Sequence, residues 1–111
     1  MSIRSENSFK DYVLDQLDGL RDLSCRAMFG GFGLYHRNEF FGIVFKQRLY
    51  FKTDAVSRKD YVVRGMKPFK PNPRQTLKSY YQVPDEVLDD RDMLQSWAQR
   101  AVILRNDKTS P

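Results

Sequence analysis

The stretch "RAMFGGFGLYHR", residues 26–37, packs three glycines into four positions, Gly30, Gly31 and Gly33. It has three readings: a phosphate loop, an RNA-reading strand, or a strand whose backbone is closely approached. A dinucleotide loop needs G-x-G-x-x-G opening a helix. Gly31 and Gly33 supply the first pair, but the third position holds His36, and strand formers surround it. A Walker loop needs a closing Gly-Lys-Ser/Thr, which is absent. The RNA-recognition strand matches at Gly31, Phe32 and Gly33 only; Gly30, Leu34 and Arg37 stand where a basic residue and two aromatics belong. A strand remains. Alternation puts Gly31, Gly33 and Tyr35 on one face and Phe32 and Leu34 on the other. A helix crossing over the small residues is the expectation.

Working outward, the dense apolar region from Cys25 to Phe51 divides into "GGFGLYH", "EFFGIVF" and "RLYFK", separated by Arg37-Asn38 and Lys46-Gln47. Tight polar turns between short aromatic runs predict a three-stranded antiparallel meander. Before it, Phe9, Tyr12, Val13, Leu17 and Leu20 have helical spacing, predicting a helix over about 7–18, with Ser8 and Asp11 as a capping pair and Gly19 as a stop. After it, "TDAVSRKDYVVRGM" reads as a helix capped by Asp54 or Ser57 and closed by Gly65. "KPFKPNPRQT" carries Pro68, Pro71 and Pro73 and reads as a loop. "LKSYYQV" reads as a strand ended by Pro84. The last helix carries Leu94, Trp97, Ala98, Ala101 and Val102 on one face, with Asp89 or Asp90 as its cap. The order is α-β-β-β-α-β-α. Grouped strands and segregated helices predict an α+β, two-layer fold, an antiparallel sheet with helices on one face. It forms one domain over 1–105, followed by a polar, flexible tail over 106–111.

Composition narrows the function. The chain has 111 residues, 41% hydrophobic, with net charge +5. No apolar run approaches the roughly 20 residues of a membrane span, and the N-terminus has no secretory apolar core. One cysteine, Cys25, and one histidine, His36, point to the cytoplasm and away from zinc. Cys25 reads as a buried small hydrophobe. His36 reads as a surface residue at a strand end, so no nucleophilic triad is formed. Asp85, Glu86, Asp89, Asp90 and Asp92 read as caps for the last helices rather than cation ligands. No cofactor, no metal and no enzymatic activity are expected.

Five motifs in series carry a resemblance: "MFGGFGLY" (28–35), "LYFKTD" (49–54), "GMKPF" (65–69), "SYYQVP" (79–84) and "MLQSWA" (93–98). In this order and spacing the chain resembles the TfoX N-terminal domain family, related to the TfoX/Sxy regulators of competence genes. The resemblance runs from the first helix to about Val102. It implies a two-layer α+β domain and a non-enzymatic role as transcriptional coactivator, docked to a DNA-bound factor of the cyclic-AMP receptor protein type. The best-known members carry a second, helical C-terminal domain, and this chain reads as a single-domain member.

Two surfaces are candidates for contact. Arg58, Lys59, Arg64, Lys67, Lys70, Arg74 and Lys78 fall within 21 positions with Asp60 as their one carboxylate. Such a run would touch phosphates without reading bases. It supports the alternative function, a direct and largely electrostatic nucleic-acid binder. The second candidate is apolar. "FFGIVF" is hydrophobic in both registers, Phe41, Ile43 and Phe45 on one side and Phe40 and Val44 on the other. Helices in a two-layer fold cover one face only. The second face, with Tyr35, Phe40 and Tyr50, is expected either to meet a partner protein or a second copy in a homodimer, or to be covered by the proline loop.

Overall fold

The computed structural model describes residues 6–28 and 30–104. The elements are α1 (Glu6–Gln16), β1 (Leu23–Met28), β2 (Gly31–His36), β3 (Glu39–Phe45), β4 (Arg48–Lys52), α2 (Arg58–Val62), β5 (Pro68–Asn72), β6 (Gln75–Gln82), α3 (Asp85–Leu88) and α4 (Arg91–Val102). Six antiparallel strands form one sheet in the order β1-β2-β3-β4-β6-β5. The expected order of helices and strands holds, and two further strands, β1 and β5, extend the sheet at its two edges. The tail over 106–111 lies outside the described residues.

Two hairpin turns form as their residues dictate. Arg37 and Asn38 have φ of 52° and 70°, and Lys46 and Gln47 have 51° and 61°. Two successive positive φ values match the right-handed twist of the flanking strands. Farther on, Asp90 accepts a hydrogen bond from the Met93 amide at 3.1 Å, and the last helix is divided there into α3 and α4.

One face of the sheet takes the helices. Phe9 and Val13 of α1, Leu17 just after it, and Leu94, Trp97, Ala98 and Ala101 of α4 pack with Leu34, Phe41, Leu49 and Phe51 of the strands. The opposite face has its own small core: Ile43, Tyr50, Phe69 and Tyr80, bordered by Phe40, Phe45 and Leu77. The expected grouping of Phe41 with Ile43 and Phe45 is corrected here. The β2–β3 register shifts between Leu34 and Tyr35, leaving Phe41 without a partner on β2. This bulge turns Phe41 to the helical face beside Val44, while Phe40, Ile43 and Phe45 face the other way.

The expected helix over the glycines is also corrected. Gly31 and Gly33 lie on the face away from the helices. A side chain at Gly31 would meet the Val44 carbonyl oxygen of β3, and one at Gly33 would meet the Met28 sulfur at 2.6 Å and the Phe40 ring at 3.0 Å. Neighbouring strands and their side chains, not a helix, claim that space.

The expected proline loop is a strand. β5 holds Pro68 and Pro71, and it sits at the sheet edge, where a missing N–H costs no ladder bond. Its Phe69 is fully buried, with its ring 4.8 Å from Tyr50 and 5.3 Å from Phe45. Three strand steps separate β5 from β3, about 14 Å in a flat sheet. The sheet therefore coils at this end, and register shifts on both sides of Phe69 supply the bend. Phe69→Ala is expected to cost about 3–5 kcal/mol in urea unfolding, because the second core loses its central ring. A cost under about 1 kcal/mol would mean that this face is closed by something else.

Burial also sets the response to alkali. Burial raises the Tyr80 phenol to about 12 and pushes Tyr61 and Tyr50 up as well. In the unfolded chain a tyrosine ionises near 10. Between these values the unfolded state has lost the proton and the folded state keeps it, so stability falls as pH rises through 10 toward 12. Tyr80→Phe is expected to make that fall shallower by on the order of 1 kcal/mol after solvent screening. Urea midpoints at pH 9, 10, 11 and 12 measure it.

Candidate functional site

Residues 53–66 build the most exposed apolar surface among the described residues. The chain leaves β4 and is turned by a reciprocal pair. The Asp54 amide donates to Ser57 Oγ at 3.0 Å, and the Ser57 amide donates to Asp54 Oδ1 at 2.8 Å. The Ser57 amide holds the Asp54 carboxyl below its ordinary value. This is the geometry of a helix start, and α2 follows. Gly65, with φ of 77°, ends the segment in the left-handed region.

α2 has five residues and buries only one of them, Tyr61. The Tyr61 ring meets Trp97 edge-on at 4.7 Å and Tyr81 at 6.1 Å. Arg64 and Arg100 lie over the Trp97 ring at 5.2 Å and 5.9 Å. Arg100 pairs with Asp60 at 2.8 Å and Arg64 with Glu86 at 3.4 Å. α2 is thus pinned to α3 and α4 by one aromatic contact ringed with ion pairs. A helix that buries a single side chain turns most of its apolar remainder outward. Val56, Val62 and Val63 are 72%, 54% and 76% exposed. Val62 and Val63, with Ala55, border a shallow apolar hollow edged by Arg58 and Lys59. An apolar centre with a polar, charged rim is the anatomy of a protein-binding surface.

The seven basic residues do not form one patch. Arg58 donates to Thr53 Oγ1 at 3.1 Å and lies over Tyr81. Arg64 is held by Glu86 and Trp97. Lys59 is exposed beside the valines. Lys67 and Lys70 turn into a cleft on the far side of the sheet, together with Arg48 and Tyr50. Arg74 is in the β5–β6 turn, and Lys78 is exposed on β6. The run is split because the connection from α2 to β5 passes from the helical layer to the opposite face.

The aromatic candidates also separate. Tyr50 is only 8% exposed, its ring covered by Phe69 of the proline segment, so it offers no broad aromatic surface to a partner protein and only its edge borders the cleft. Tyr35 and Phe40 are half-buried, stacked at 5.4 Å, and Phe40 continues to Tyr80 at 5.3 Å. The acidic group serves structure: Asp90 caps α4, Asp89 accepts from the Tyr12 hydroxyl at 2.7 Å, and Glu86 pairs with Arg64. Cys25 is half-buried against the main core. Among the described residues no helix is long and apolar enough to cross a membrane.

The valine surface went unread in the sequence, although a clue was present. Val62 and Val63 are adjacent, and adjacent residues on a short helix cannot both face one core. With the geometry established, comparison with known proteins gives one finding: the model of the TfoX N-terminal domain matches residues 15–103. The chain belongs to the TfoX N-terminal domain family, a family of TfoX/Sxy-like regulatory domains. No curated protein matches it.

Trp97→Ala is expected to cost about 3–5 kcal/mol and to release α2, seen as faster amide exchange over 58–65. Asp60→Asn is expected to cost less than about 1 kcal/mol, as its pair with Arg100 is half-exposed. The reverse ranking in urea unfolding would make the ion pairs, not the ring, the anchor.

Proposed function

We propose that this domain is a non-enzymatic docking module that joins a DNA-bound transcription factor of the cyclic-AMP receptor protein type. The observation that carries the reading is the cluster of exposed valines around α2, a helix that buries one residue: Val62 at its end, Val63 at its C-cap and Val56 in the turn before it. Membership of a regulatory family supports it. The contact is apolar at its centre, and Arg58 and Lys59 at the rim, with a net charge of +5, draw the domain toward a polyanion-bound partner. Direct, purely electrostatic DNA binding is the less supported reading, because the seven cations of the run from Arg58 to Lys78 are divided between two faces.

The test is fluorescence anisotropy on labelled promoter DNA, with and without the cyclic-AMP-loaded receptor protein, over a salt series. Binding is expected only when the receptor protein is present. Val62→Ser with Val63→Ser is expected to weaken it at least tenfold while leaving stability within about 0.5 kcal/mol. Binding to bare DNA that fades steeply with salt and is lost on Arg74→Glu with Lys78→Glu would overturn the reading. So would a homodimer, seen by sedimentation, that the valine variant converts to monomer.

A further inference from the structure

A second concave site lies on the opposite side of the sheet from α2. It is a cleft of about 610 Å³, lined by Arg48, Tyr50, Lys67, Lys70, Thr76 and Gln82. Its floor follows from strand alternation. Arg48 and Tyr50 are two apart on β4 and share a face, and Gln82 of β6 is the register partner of Tyr50. Its wall is the connection from Gly65 into β5. There the Gln82 amide donates to the Lys67 carbonyl at 3.0 Å, which fixes Lys67 at the rim. Lys70 and Thr76 close the end near the β5–β6 hairpin.

The lining has a single sign. Three cations converge and no carboxylate lines the cleft. Among the described residues none of the three takes part in an ion pair, whereas Arg37, Arg64, Arg91 and Arg100 each do. Three like charges facing one hollow repel each other, and in such a place an anion is what relieves the repulsion. Neutral donors lie among them: the Tyr50 hydroxyl, the Thr76 hydroxyl and the Gln82 side-chain amide. The Tyr50 phenol, pushed up by burial with Arg48 at its side, stays protonated at neutral pH and is able to donate.

We infer that this cleft binds a small phosphorylated molecule, its diphosphate group held by Arg48, Lys67 and Lys70 and oriented by the Tyr50 hydroxyl. The volume falls within the roughly 300–1,000 Å³ of small-molecule sites, larger than a diphosphate alone requires, so an organic group accompanies it. A nucleic-acid backbone suits the site less well. It needs cations along a path, and Arg74 and Lys78, the next in sequence, do not line the cleft. The site is separate from the valine surface and stands whether or not docking occurs there.

Isothermal titration calorimetry with ADP, inorganic pyrophosphate and AMP, each on the full chain, tests the inference, with amide chemical-shift mapping to place the site. ADP is expected to bind more tightly than either pyrophosphate or AMP, with shifts confined to residues 48–50, 65–70 and 76–82. Lys67→Ala with Lys70→Ala is expected to weaken ADP at least tenfold. Arg21→Ala, beside β1 at the opposite edge of the sheet, is expected to leave ADP affinity unchanged. Tyr50→Phe keeps the ring in the core and is expected to weaken ADP severalfold. No heat and no shifts at millimolar ADP would overturn the inference, as would ADP binding that the double lysine variant leaves unchanged. A 12-nucleotide single strand that saturates the same residues at lower concentration than ADP would also overturn it, in favour of a nucleic-acid groove.

Discussion

A sheet that is apolar on both faces must be covered twice, and this chain has helices for only one side. The residues of β3 state the difficulty: Phe41 and Val44 face the helical layer, while Phe40, Ile43 and Phe45 face away from it. Leaving several large side chains wet would forfeit on the order of 1.5–3 kcal/mol each. The chain instead coils its far edge back on itself. Phe69, set on an edge strand between two prolines, fills the hollow above Tyr50 and Phe45. The second core, the cleft beside it and the position of β5 all depend on that one ring.

The same constraint explains what the sequence made legible. The hairpins were plain because Arg37-Asn38 and Lys46-Gln47 interrupt aromatic runs with residues suited to positive φ. α1 and α4 were plain because their apolar residues recur at helical spacing. β1 was hidden, since "LSCRAM" is only half-buried at best and its short alternation, Leu23 and Cys25 against Ser24 and Arg26, is carried by few large apolar residues. β5 was hidden for a different reason. Prolines are evidence against a strand only where both neighbours need the N–H, and whether a strand is at an edge is a property of the sheet, not of the segment. The bulge at Phe41 was equally out of reach. One unpaired residue reverses the facing of everything on one side of it, and no period-2 reading detects the slip.

The candidate surfaces were legible as inventory rather than as geometry. The basic run from Arg58 to Lys78 was visible at once, but its members act in different places. The physical cause is the path of residues 63–68, which carries the chain from the helical layer, past Gly65, to the opposite face. Charges that are neighbours in sequence therefore end on either side of a sheet. Arg64 is drawn into the ring around Trp97, and Lys67, three residues later, stands over Tyr50. The valines show the converse. They read as ordinary apolar helix residues until the helix proved to be five residues long, with Tyr61 its one buried side chain.

This division gives the two surfaces different physical characters. The α2 surface is shallow, apolar at its centre and placed on a short helix that buries one ring, so its affinity for a partner comes from desolvating valines. The cleft is concave and cationic, and it is built on β4 and β6, the inner strands at the coiled end of the sheet. Its floor is fixed by the register of Arg48, Tyr50 and Gln82, while Lys67 and Lys70 are brought in by the connection into β5 and by β5 itself, an arrangement that favours recognition of a group with defined charge geometry. Proline at the adjoining edge adds a further consequence. β5 cannot present a full row of N–H donors, so that edge resists pairing with another strand and leaves the mouth of the cleft open. The residues that close the second core therefore also keep its neighbouring site accessible.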